Sequence, residues 1–131
     1  MIVRETSLLI DDAEAARARP TGTAALSALV RAAVAHQLRR PTLARLLDFE
    51  EARLPFDADT PQVSERFRAI ALDVLSRSDL ARQPDREAAA QDVMAIIKGM
   101  VDAEGVRGEI DQRELAGRVQ RAVFGYLNAP A

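Results

Sequence analysis

The chain has 131 residues, 48% of them hydrophobic, 29% charged and 4% aromatic, with six glycines, six prolines and no tryptophan. That length suits one domain with a single core, and the composition excludes a disordered chain and argues for an aliphatic core. Lys and Arg number 18 against 20 Asp and Glu, a net charge of -2, and there is no cysteine. The basic footprint of a nucleic-acid-binding domain is therefore missing from the chain as a whole, and disulfides, thiolate chemistry and cysteine-ligated metals are excluded.

Proline and glycine divide the sequence into segments of helical periodicity. The first, from Ile2 to Arg17, carries Ile2, Leu8, Leu9 and Ala13 among charged residues and ends before the turn-forming Arg19-Pro20-Thr21-Gly22. From about Thr23 to Arg39, the residues Leu26, Leu29, Val30, Ala33, Val34 and Gln37 follow i, i+3, i+4, i+7 spacing and predict a core helix. The alanine cluster Ala24, Ala25, Ala28, Ala32, Ala33 and Ala35 has the highest helix propensity of any residue type. Pro41 has no N–H to donate, which places it at the start of a third helix with Leu43, Leu46, Leu47 and Leu54, stopped by Pro55.

Thr60-Pro61 is a start signal, with Thr at the N-cap and proline in the first turn. The helix it opens carries Val63, Phe67, Ile70, Ala71, Val74 and Leu75 on one face, and Ser76 to Gln83 reads as a loop. From Pro84 to about Glu104, Ala90, Val93, Met94, Ile97, Met100 and Val101 form a long seam, with Gly105 positioned as a left-handed C-cap. Asp111-Gln112-Arg113-Glu114 matches a capping box with Asp in the Ser/Thr position, and Leu115, Val119, Ala122, Val123, Tyr126 and Leu127 continue the last stripe. About six helices and no period-2 strand predict an all-α antiparallel helical bundle.

Catalysis finds little support. Adjacent Glu50 and Glu51 point about 100° apart on a helix, and no nucleophile elbow, phosphate-cradling glycine loop or HExxH is present. Asp57 and Asp59 lack calcium-loop spacing. The arginines at 39, 40, 45, 66 and 68 read as solvated faces or ion-pair partners. No apolar run approaches the ~18 residues of a membrane span, and Arg4 and Glu5 interrupt any signal-peptide pattern. The expectation is a soluble cytoplasmic protein that is not an enzyme and needs no cofactor or metal.

The order of segments resembles a known family. The stretch His36-Gln37-Leu38-Arg39-Arg40-Pro41-Thr42-Leu43-Ala44-Arg45-Leu46-Leu47, followed by an acidic run to Leu54-Pro55, is similar to the middle of the C-terminal domain of tetracycline-repressor-like (TetR family) transcriptional regulators. Asp92 to Asp102, a glycine-containing loop, and Glu114 to Leu127 resemble that family's final two helices. No part of the chain resembles the family's helix-turn-helix unit. The resemblance implies a bacterial sensor half: a homodimer that binds a small-molecule effector and acts on DNA only through a helix-turn-helix unit outside these 131 residues.

Two sets of residues follow from that expectation. In the family the last two helices pair with their twins into a four-helix bundle, for which the candidates are Ala95, Gly99, Met100, Ala103, Gly117, Val119, Val123 and Phe124. Glycine inside a helix costs about 0.8 to 1 kcal/mol relative to alanine, so Gly99, Gly117 and Gly125 ask for a packing reason. The alternative is that these residues serve the protomer's own core. An effector cavity between helices is mostly apolar, for which the candidates are Leu26, Val30, Ala33, His36, Leu47, Phe67, Ile70, Val74, Met94 and Ile97, with Leu29 and Leu43 beside them. Plain core packing accounts for the same pattern. His36, the only histidine, cannot form a strong metal site alone. A standalone helical protein-interaction module without a cavity is the competing reading of the whole.

Overall fold

The computed structural model describes the backbone of residues 2–46, 60–107 and 111–129, and the side chains of 8–39, 62–105 and 111–129. Those residues form five helices and no strand, an all-α fold: α1 (Ile2–Arg17), α2 (Gly22–Leu46), α3 (Thr60–Leu75), α4 (Arg86–Arg107) and α5 (Gln112–Asn128). Helix α1 buries Leu9, Ala13 and Ala16, three residues on one face. Asp111 caps α5 as its sequence signal predicts, its carboxylate accepting from the backbone N–H of Arg113 at 3.1 Å and of Glu114 at 3.2 Å.

Two expectations about helix ends are corrected. Pro41 does not open a separate helix; α2 runs through it to Leu46, forgoing one intrahelical hydrogen bond. By that point α2 is packed against α1, α3, α4 and α5, and tertiary anchoring outweighs the local penalty. Gly105 does not terminate α4, which continues to Arg107. Glycine permits the left-handed conformation without imposing it. Glu104, buried and ion-paired to Arg118 of α5 at 2.9 Å, ties this turn of α4 to its neighbour. Residues 47–59, with the expected Leu47 and Leu54 positions, lie outside the described residues.

Helix α2 is the axis of the bundle. Ala25, Leu26, Leu29, Val30, Ala33, Val34 and His36 are buried, and Thr23 and Arg31 are its exposed positions between residues 22 and 39. Its alanines give the neighbouring helices close approach on several sides, which explains why a helix with so little one-sided patterning is still central. Leu26, Leu29, Val30 and Val34 join Phe67, Ile70 and Val74 of α3, Val93, Ile97 and Val101 of α4, and Leu115, Val119 and Val123 of α5 in one contiguous core. Each such aliphatic side chain contributes about 1.5–3 kcal/mol on burial.

The helices alternate in direction. The C-terminal ends of α1, α3 and α5 and the N-terminal ends of α2 and α4 meet at one pole, where the α3–α4 linker runs. The lead-in end of α1 is at the opposite pole.

Candidate functional site

The residues proposed for a cavity come together around the buried half of α2. Leu26, Val30, Ala33, Phe67, Ile70, Val74 and Ile97 all belong to the contiguous core, each with 7% exposure or less. Met94 packs against it half-buried, and His36 is buried at 6% exposure at the far end of the same α2 face. Leu47 lies outside the described residues, as do the surroundings of Leu43. These residues are apolar apart from His36, and those of them that are described pack as core.

The residues proposed for pairing divide into two groups. Val119 and Val123 have no exposed surface and belong to the protomer's own core. An α5 stripe at helical spacing meets the needs of a core and of an interface equally, and here the inward half serves the core. Ala95, Gly99 and Ala103 stand exposed at four-residue spacing along α4, and Gly117 and Gly125 stand exposed on α5, with Met100 and Phe124 half-buried beside them. A side-chain carbon added at Gly99, Gly117 or Gly125 would meet nothing within 4 Å. Among the described residues, the three glycines thus have no packing reason inside the protomer.

Polar contacts set α4 against α5. Tyr126 donates to Asp92 Oδ2 at 2.6 Å, and this acceptor raises the phenol's pKa, with burial and charge adding to the shift. Arg118 bridges Glu104 at 2.9 Å and Glu114 at 3.0 Å, and the Glu104 carboxylate is the main cause of its raised pKa. Sequence reading missed these pairs because their partners lie on different helices or serve two roles; Glu114 carries the capping-box signal yet engages Arg118.

It missed the pole linker as well. Asp79 accepts from the backbone N–H groups of Gly22 at 2.8 Å and Thr23 at 3.0 Å and from the Thr23 hydroxyl at 3.1 Å, capping α2 from 57 residues away. The N–H of Thr23, then that of Gly22, lower its pKa. Arg77 donates to the carbonyls of Arg17 and Arg19 at the end of α1, Gln83 to the carbonyl of Leu127 at the end of α5 at 2.8 Å, and Asp85 accepts from the Ala88 N–H at the start of α4. The buried Gly22 was the one available signal, and it reads equally well as a turn glycine.

No helix among the described residues is long and apolar enough to cross a membrane. No curated protein and no solved structure matches the chain. The family described as "Tetracyclin repressor-like, C-terminal domain" matches residues 23–127, which takes in α2 almost from its first residue and ends one residue short of the end of α5. The chain belongs to the tetracyclin repressor-like C-terminal domain family.

Proposed function

We propose that this chain is the effector-sensing and dimerisation domain of a bacterial, cytoplasmic TetR-like regulator, with no catalytic role. DNA is reached through a helix-turn-helix unit outside these residues. The observation that carries the reading is the exposed small residues of α4 and α5, where a side-chain carbon added at Gly99, Gly117 or Gly125 meets nothing within 4 Å among the described residues. Small residues on two adjacent antiparallel helices let a second pair approach closely, as a four-helix bundle requires. The proposed face takes in Ala95, Gly99, Met100, Ala103, Gly117 and Phe124, which are exposed or half-buried, while Val119 and Val123 are core residues of the same α5.

An apolar effector lodging among α2, α3 and α4 favours one spacing of these helices, and α1 packs along both α2 and α3. A change in that spacing is therefore passed to the lead-in helix, which is the linkage a sensor needs: the effector biases whichever arrangement it binds better.

The test is the mass of the chain in solution by size-exclusion chromatography with light scattering. The expected result is a dimer of the 14.3 kDa chain at micromolar concentration, converted to monomer by Gly99→Gln without loss of helical circular dichroism, since that side chain has room in the protomer. A monomeric parent, or a variant that still dimerises, overturns the pairing face. Separately, small apolar compounds that raise the melting temperature of the parent lose that effect in Val30→Phe if they bind at α2.

A further inference from the structure

Four of the five helix ends at the linker pole receive a side-chain group that suits their unsatisfied backbone groups, the fifth, α3, leading into the linker itself. The α1 carbonyls take the Arg77 guanidinium, the α2 amides take the Asp79 carboxylate, the last α5 turn takes the Gln83 amide N–H, and the first α4 turn takes the Asp85 carboxylate. All four groups come from the nine residues 77–85. Leu72 and Val74 carbonyls accept from Ser76 and Arg77, and the Arg77 carbonyl accepts from Leu80, so the start of the segment is itself wound as a turn. Gly22 fits under it so closely that an added side-chain carbon would lie 2.7 Å from Arg77 Cβ and 2.7 Å from Asp79 Oδ1.

We infer that residues 77–85 act as a conformational clasp that couples the α1–α2 corner to the C-terminal end of α5, so that loosening either end loosens the other. The clasp belongs to a single protomer and operates whether or not the chain dimerises or binds an effector. The corner and the end of α5 are both gripped from this segment, Asp79 and Gln83 standing four residues apart in it. Local opening at one helix end frees the linker, and a freed linker no longer holds the other; such coupling is reciprocal by thermodynamic necessity.

Hydrogen exchange of the full chain, read by mass spectrometry or NMR, tests the clasp with two variants and one control. Asp79→Ala raises exchange at Gly22 and Thr23, as loss of any cap does, and is expected to raise it roughly fivefold at the last turn of α5, residues 124–128. Gln83→Ala is expected to do the reverse, raising exchange at 124–128 and, several-fold, at Gly22 and Thr23. Asp111→Ala removes a cap at the opposite pole and is expected to leave Gly22 and Thr23 unchanged. Changes confined to the helix end that each variant touches overturn the inference. So does an equal rise at Gly22 and Thr23 in Asp111→Ala, which would mark a global loss of stability; and if Asp79→Ala fails to fold, Gln83→Ala alone decides.

Discussion

Replacing Gly22 with alanine tests the closest approach in the fold. The added carbon meets Arg77 Cβ at 2.7 Å, Asp79 Oδ1 at 2.7 Å and Leu80 Cγ at 2.9 Å, and one of these is a side-chain root that moves only with its backbone. Overpacking of this kind costs about 1–3 kcal/mol. Alanine in a helix returns roughly 0.5–1 kcal/mol, which leaves a net loss of up to about 2.5 kcal/mol, centred a little above 1. In a domain of this length the central loss lowers the melting temperature by about 4–5 °C. Thermal unfolding followed by far-ultraviolet circular dichroism, at one fixed protein concentration for parent and variant, measures it. The counterpart is Gly105→Ala: its added carbon meets nothing within 4 Å inside a continuing helix, so the melting temperature rises by about 2–3 °C. A Gly22→Ala variant as stable as the parent refutes the packing argument, and a Gly105→Ala variant that is destabilised refutes the continuation of α4.

Three further outcomes are expected. Tyr126 is the single tyrosine, so its ultraviolet titration is unobstructed: the phenol ionises above its ordinary value in the folded chain and shifts back down in Asp92→Asn. Stability owed to this bond is present below the ordinary tyrosine pKa and lost as pH rises through the raised one. Asp79 runs the other way, because its pKa is lowered by the backbone N–H of Thr23 and then of Gly22. Its contribution is full above the ordinary aspartate range, near pH 4, and fades as pH falls through the depressed value; urea midpoints of parent and Asp79→Asn therefore differ at neutral pH and converge in acid. Glu104→Gln lowers the melting temperature more than Glu114→Gln does, since the Glu104 side chain is 10% exposed where it meets Arg118 and that of Glu114 is 65% exposed. Equal losses would remove the distinction between the two carboxylates.

What the sequence made legible was the local part of the structure. Helix α1 ends before its turn cluster, α3 begins at the Thr60-Pro61 signal, and Asp111 caps α5. These features depend on residues within one or two turns of each other. Pro41 and Gly105 misled for a shared reason: each is a local tendency, and each sits in a helix held by contacts from elsewhere, α2 by its four neighbours and α4 by the Glu104–Arg118 pair. Seven of the ten cavity candidates gathered into one core as their spacing implies, yet spacing cannot separate a lining from a filled interior. Val119 and Val123 illustrate the same limit on the pairing face, since inward and outward apolar positions differ by rotation about the helix axis and only the neighbours decide which is which. Of the linker contacts the sequence carries only the ambiguous Gly22, because a cap donated from 57 residues away has no fixed spacing to recognise.

That distance has a consequence for how the chain is made. The bonds from Asp79 to Gly22 and Thr23 and from Arg77 to Arg19 span 56 to 58 residues, and the bond from Ser27 to Gln120 joins α2 to α5 across 93. During synthesis the first turn of α2 leaves the ribosome well before the carboxylate that caps it, and long before the last helix that covers its side. A nascent α1–α2 hairpin must therefore wait, with its alanine-rich axis bare on most sides, until the end of α3 arrives to close the corner and α5 to complete the sheath. The final packing of α2 is therefore as late an event as the synthesis of α5 itself.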